Sequence, residues 1–125
     1  MTVVIGKFGR RRERAALPVS NEALCALIEA LVAAAFAVPV GEMRARGRRA
    51  ATVAFARQCA IYLAHVSLGL GYRRLGRLFR RDRTTAGHAC ALIEARRDNR
   101  VLDVRLQTLE HAFAALAAAA RRCPA

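Results

Sequence analysis

Arginine, aspartate and threonine are concentrated in the segment RRDRTT, residues 80–85. Side chains of these types bind base edges in duplex DNA: aspartate accepts a hydrogen bond from cytosine, threonine contacts thymine, and arginine pairs with guanine through two hydrogen bonds. Asp82 and Thr84 are also suited to cap the start of a helix. The segment therefore predicts a helix whose first turn presents DNA-binding side chains.

The hydrophobic spacing on either side predicts the elements that position this helix. Val53 to Leu68 has the apolar spacing of a buried scaffold helix, and Gly69 and Gly71 supply the flexible backbone for a tight connection. Tyr72 to Phe79 then forms a short helix with one apolar face and one cationic face. Its predicted inward residues are Tyr72, Leu75, Leu78 and Phe79, and its predicted outward residues are Arg73, Arg74, Arg77 and Arg80. The order of helix, break, short helix, break and helix indicates a helix-turn-helix.

The rest of the chain also has helical patterning. Ser20 or Asn21 caps a first helix that Pro39 ends, a short helical turn follows at residues 41–46, and Asp98 or Asn99 caps a last helix. That last helix is predicted to bury Leu102, Leu106, Leu109, Phe113 and Leu116. We expect an all-α fold of five to seven helices, with a flexible basic arm at 1–18, the helix-turn-helix domain at 19–120 and a tail at 121–125.

The charge of the chain predicts an anionic partner. Its 125 residues carry 22 Lys and Arg against 9 Asp and Glu, a formal net charge of +13. Between Met43 and Ile93, Asp82 is the only acidic residue. A solvated surface would mix charges of both signs, so this excess favours nucleic acid.

Several other functions lack their characteristic residues. The chain has no phosphate-binding G-x-x-x-x-G-K-[ST] loop, and no arrangement of nucleophile and base or of paired carboxylates stands out. The three histidines are far apart and the four cysteines are single, so we expect no enzyme activity, no cofactor, no metal and no disulfide. The histidines are His65, His88 and His111, and the cysteines are Cys25, Cys59, Cys90 and Cys123. The apolar run from Ala23 to Val40 contains Glu29 and is unconvincing as a membrane span, so we expect no membrane partner and a cytoplasmic, nucleoid location.

Four segments carry a family resemblance: VPVGEMRARGRRA, ARQCAIYLA, LGRLF and RRDRTTAGHAC. Together they resemble the C-terminal DNA-binding domain of DnaA, the bacterial chromosomal replication initiator, which has an ARQ-x-A-x-YLA helix and a GRDHTTV-x-HAC signature. The resemblance covers roughly Val32 to Glu110. It implies a helical domain whose recognition helix enters the major groove of duplex DNA, but without the initiator's ATPase.

The resemblance also implies roles for individual residues. Asp82, Arg83, Thr84 and Thr85 would face the bases in the major groove, and Arg49 would enter the minor groove. A second group would hold phosphates or flanking bases: Arg48, Arg57, Gln58, His65, Tyr72, Arg73, Arg74, Arg81 and His88. For His65, a partly buried histidine with an internal hydrogen bond is an equal alternative.

This chain departs from the family signature at three positions. Arg80 replaces its glycine, Arg83 its histidine and Ala86 its valine. We expect the phosphate and minor-groove contacts to survive these changes and the preferred DNA sequence to differ from the initiator's binding site.

The residues and the resemblance together predict a stand-alone, sequence-specific binder of double-stranded DNA that regulates transcription. RNA polymerase or another regulatory protein is a further candidate partner. One alternative is a modulator of replication that competes with DnaA for its sites. The other is a basic protein-interaction module that retains the fold.

Overall fold

The computed structural model of the protein describes residues 19–45 and 50–122, and these residues form six helices and no strand. The helices are α1 (Asn21–Ala35), α2 (Val40–Arg44), α3 (Ala51–Leu68), α4 (Tyr72–Phe79), α5 (Arg83–Arg96) and α6 (Arg100–Arg122). The predicted all-α class and helix number are confirmed. The N-terminal arm, predicted at 1–18, lies outside the described residues.

Helix α3 is the centre of the fold. Its six consecutive residues from Cys59 to Ala64 are all buried, because α1, α5 and α6 pack around it and α4 packs near its end. A helix that is apolar on all sides is stable only when other elements surround it. Helix α5, whose first turn holds the predicted base-facing residues Arg83, Thr84 and Thr85, therefore rests directly on the most buried part of α3.

The three described cysteines, Cys25, Cys59 and Cys90, are buried free thiols. Burial raises the pKa of Cys25 and Cys90 to about 11 each and that of Cys59 to about 12. Since the thiolate is the reactive form, these thiols are protonated and unreactive near neutral pH.

Two predicted helix starts are confirmed at the level of single hydrogen bonds. The Ser20 hydroxyl accepts from the Ala23 amide at 3.1 Å, and the Asn99 side-chain oxygen accepts from the Leu102 amide at 3.1 Å. The prediction that Leu116 is buried is wrong: it is 44% exposed, and Ala117 takes the core position. Among the described residues, no helix is long and apolar enough to cross a membrane.

A polar network around Arg97 fixes the C-terminal end of α5. The Arg97 guanidinium donates to Asp103 at 2.6 Å, to Glu110 at 2.9 Å and to the Tyr62 hydroxyl at 3.1 Å. The Tyr62 hydroxyl in turn donates to Glu94 at 2.6 Å. These bonds join residues of α3, α5 and α6 and so tie the C-terminal end of α5 to both neighbouring helices.

Candidate nucleic-acid interface

The turn between α4 and α5 depends on a close backbone approach at Gly76. A Cβ atom on Gly76 would lie 2.5 Å from the carbonyl oxygen of Arg81, so that only glycine fits without a shift of the backbone. The Arg81 amide donates to the Gly76 carbonyl at 2.8 Å, and Arg80 is left-handed with φ 59° and ψ 44°. These two features define a Schellman termination of α4, in which the left-handed position normally holds glycine.

Arg80 occupies this left-handed position at an energetic cost. A side chain there costs roughly 1 to 2 kcal/mol of strain. Glycine removes that strain but costs about 0.5 to 1 kcal/mol of backbone entropy on folding. Arg80→Gly is therefore expected to raise the free energy of unfolding by about 0.5 to 1 kcal/mol, measured by urea denaturation. A destabilised variant would show that the Arg80 side chain contributes more than the strain it imposes.

Asp82 caps the N-terminal end of helix α5. Its carboxylate accepts a hydrogen bond from the Thr85 amide at 2.7 Å, and this bond holds the pKa of Asp82 below its usual value. The cap therefore stays charged at neutral pH and is lost only under acidic conditions, as Asp82 protonates. Arg83, Thr84 and Thr85 are exposed in the first turn that follows. The four residues predicted to face bases thus lie together at one exposed helix end.

The start of α4 and the first turns of α5 line a shared open depression of about 620 Å³. Its lining residues are Tyr72, Arg73, Arg83, Thr84, Gly87 and His88. Five of these were predicted to contact DNA, and they come from two helices joined by the turn. The depression therefore brings predicted base-facing and phosphate-facing side chains to one surface.

Tyr72 lies on this surface and not in the core, so its predicted inward position is wrong. It is 44% exposed, and its ring packs against Gly87, where a Cβ atom would lie 3.0 Å from the ring. On its other side, the ring centroid is 5.2 Å from that of His65. Nδ1 of His65 is 2.7 Å from the carbonyl oxygen of Leu70, so Nδ1 carries the proton and donates. His65 therefore makes the internal hydrogen bond that was the alternative to a DNA contact. Its ring also supports Tyr72 against α5.

Arg57 and Arg81 converge on one carbonyl group at the end of α2. A terminal nitrogen of each donates to the Ala45 carbonyl at 3.3 Å, and Nε of Arg57 donates to the Met43 carbonyl at 3.0 Å. Both side chains are half-buried. Their hydrogen bonds join the end of α2 to α3 and to the turn before α5. The end of α2 directly precedes residues 46–49 in the chain. Arg49, predicted to enter the minor groove, and Arg48, predicted to hold a phosphate or a flanking base, lie in that segment, outside the described residues.

The exposed arginines around the turn are not neutralised. Within the described residues, none of them forms an ion pair; they are Arg73, Arg74, Arg77, Arg80 and Arg83. Gln58 is half-buried on α3. Across the described ranges, no group of three or more His, Cys, Asp and Glu side chains has a metal-binding arrangement. The surface therefore offers uncompensated positive charge and hydrogen-bond donors, which suit a polyanion.

Some features of the site were not predicted from the sequence. The close approaches at Gly76 and Gly87 are visible only in the structure, although a glycine inside a short helix is itself a signal of such contacts. The bonds of Arg57 and Arg81 to main-chain carbonyls had no sequence signal, because the residues involved lie up to 36 positions apart.

Two helices in a tight turn, the second with an exposed and cationic first turn, define a helix-turn-helix DNA-binding domain. The family model described as the bacterial dnaA protein helix-turn-helix matches residues 25–93, more than half of the chain. The protein belongs to this family, and its fold is that of a DNA-binding domain. No match was found among the curated proteins.

Proposed function

We propose that this protein binds double-stranded DNA sequence-specifically by placing the first turn of α5 in the major groove. The observation that carries the proposal is the exposed cluster of Arg83, Thr84 and Thr85 on a helix end that Asp82 caps, next to exposed arginines that form no ion pair within the described part of the chain. Arginine and threonine at such positions pair with guanine and contact thymine. Asp82 has two roles here, as the cap that orients α5 and as an acceptor for cytosine.

The second group of side chains positions the domain on the DNA backbone. Tyr72 and Arg73 begin α4, where the free main-chain amides favour a phosphate, and Arg74 and His88 extend the same surface. Arg57 and Arg81 act in this proposal through the end of α2, which they hold next to the segment with Arg48 and Arg49. Their contribution to DNA binding is thus to hold the end of α2, which precedes the basic residues 46–49 in the chain, more than to contact DNA directly.

In the cell, the proposed role is regulation of transcription from the nucleoid, without enzyme activity or a cofactor. A bound domain of this size blocks or places RNA polymerase or another regulatory protein. Occupancy mapped along the genome tests the role, and enrichment at promoters is expected. Enrichment at the replication origin would instead favour the second candidate, a modulator that competes with DnaA, for which the family match is the supporting observation.

Binding to DNA is expected to weaken steeply with salt. An interface that neutralises about six to eight phosphates gives a slope of roughly minus five to minus seven in a plot of log affinity against log salt concentration. Fluorescence anisotropy with a labelled duplex measures this slope. A flat response would favour the third candidate, a basic module whose arginines bind an acidic protein, over a DNA reader.

A further inference from the structure

A second surface lies at the far end of α5 from the proposed DNA-binding turn. There, residues that follow α1, residues of α3 and the junction of α5 with α6 line an open groove of about 470 Å³. Its main lining residues are Phe36, Phe55, Arg96, Val101, Leu102 and Arg105. Val101 is 77% exposed, and Val104, one turn further along α6, is 52% exposed. Burial of such an exposed apolar side chain by another molecule would be energetically favourable, so this edge of the groove has the character of a binding surface.

The groove has aromatic walls with an arginine over each. The rings of Phe36 and Phe55 meet edge to face, with centroids 5.8 Å apart and planes at 82°. The guanidinium carbon of Arg105 is 4.9 Å from the Phe36 centroid, and that of Arg96 is 5.6 Å from the Phe55 centroid. Neither arginine forms an ion pair within the described residues. Each guanidinium is thus held near a ring and has donors available for a carboxylate.

The groove is spatially separate from the proposed DNA-binding surface. Arg83 and Arg96 are at opposite ends of one helix, thirteen residues apart, which corresponds to about 20 Å. DNA held at the first turn of α5 therefore leaves the groove open to another molecule.

We propose that this groove binds a segment of a partner protein that carries carboxylates beside bulky apolar side chains. Apolar side chains would cover the two phenylalanines, Val101 and Leu102, and carboxylates would pair with Arg96 and Arg105. Asp98 at the rim offsets one of the two positive charges, so the groove remains cationic. A nucleic-acid backbone would satisfy the arginines and leave the apolar walls uncovered, and a second copy of this chain would bring its own charge of +13. An acidic, apolar segment matches both properties of the groove.

The test is an NMR titration of the full chain with a short synthetic peptide that alternates Glu with Leu and Phe. The amide signals of Phe36, Phe55 and Val101 are expected to shift and saturate, with a dissociation constant on the order of 10 to 100 µM. In one further peptide every Glu is replaced by Gln, and in another every Leu and Phe is replaced by Ser. Each of these two peptides is expected to bind about tenfold more weakly. Equal binding of either peptide, or shifts confined to Arg83 and Thr84, would overturn the proposal.

Matched variants separate the groove from the general charge of the protein. Val101→Ser and Arg105→Gln are expected to weaken peptide binding about tenfold. The controls Val66→Ser, at a valine that is 44% exposed elsewhere, and Arg122→Gln, at the end of α6, are expected to bind as the unchanged protein does. Equal losses in variants and controls would reduce the interaction to non-specific attraction.

Two further results would assign the groove differently. A dimer in sedimentation that Val101→Ser dissociates would make it a self-association surface, and groove shifts on addition of a duplex alone would make it a DNA contact. Either result overturns the proposal. Since DNA affinity is measured separately on the same variants, failure of the peptide to bind leaves the proposed DNA-binding function intact.

Discussion

Replacing Gly76 by alanine is expected to lower the free energy of unfolding by about 2 to 3 kcal/mol, because the added carbon forces the α4 to α5 turn apart. The contact atom is the Arg81 carbonyl oxygen, 2.5 Å from the new Cβ, and a main-chain atom cannot rotate away as a side chain would. Since the shift moves the start of α5, DNA affinity is expected to fall as well. Urea denaturation followed by circular dichroism measures the first effect, and anisotropy with a duplex the second.

Gly41 provides a matched control for this substitution. It also lies in a helix, but a Cβ atom there meets nothing within 4 Å. Gly41→Ala is expected to be neutral or stabilising by up to about 1 kcal/mol, the difference in helix propensity between the two residues. If both variants lost the same stability, the close approach at Gly76 would not be a determinant of the turn.

The second large effect concerns base preference at Arg83. Arginine offers two parallel donors to guanine O6 and N7, whereas the histidine of the family signature makes at most one well-aligned bond to a base edge. Arg83 is exposed in the first turn of α5, where it lines the same depression as Thr84. Binding sites selected from random duplexes should therefore prefer guanine at one position, with about 1 to 3 kcal/mol of discrimination that Arg83→His loses.

The rest of the selected site provides the internal control for Arg83. Thr84 and Thr85 are unchanged relative to the family signature, so the positions they contact should remain the same in both selections. If the unchanged protein and Arg83→His select identical sites with equal strength at every position, Arg83 faces a phosphate or solvent and the docking of α5 differs from the one proposed.

The sequence predicts the elements of the fold well, because helix spacing and capping are local signals. Ser20, Asp82 and Asn99 each cap the helix that their position next to an apolar pattern predicts. Side-chain direction at the edges of helices is less predictable. Tyr72 and Leu116 fit an apolar stripe by spacing, yet both are 44% exposed, because spacing along one helix does not show how much of each side chain the neighbouring elements cover.

The site is only partly predictable for a different physical reason. The sequence does not distinguish an arginine that binds a phosphate from one that binds a carbonyl group of its own chain. Arg57 and Arg73 were both predicted to hold the DNA backbone, but Arg57 donates to carbonyls at the end of α2 while Arg73 lies in the open depression. Only the three-dimensional arrangement shows that Arg57 has partners within its own chain, because those partners are 12 to 15 positions away in the sequence.

Selection of particular DNA sequences by the first turn of α5 is tested by comparing the affinities of the protein for two duplexes in physiological salt. One carries the site selected from random sequences, and the other has the same base composition in shuffled order. The selected duplex is expected to bind about a thousandfold more tightly, and Thr84→Ala together with Arg83→Ala is expected to remove most of the difference. Equal affinities for the two duplexes would rule out sequence-specific binding and leave a cationic surface that binds DNA of any sequence.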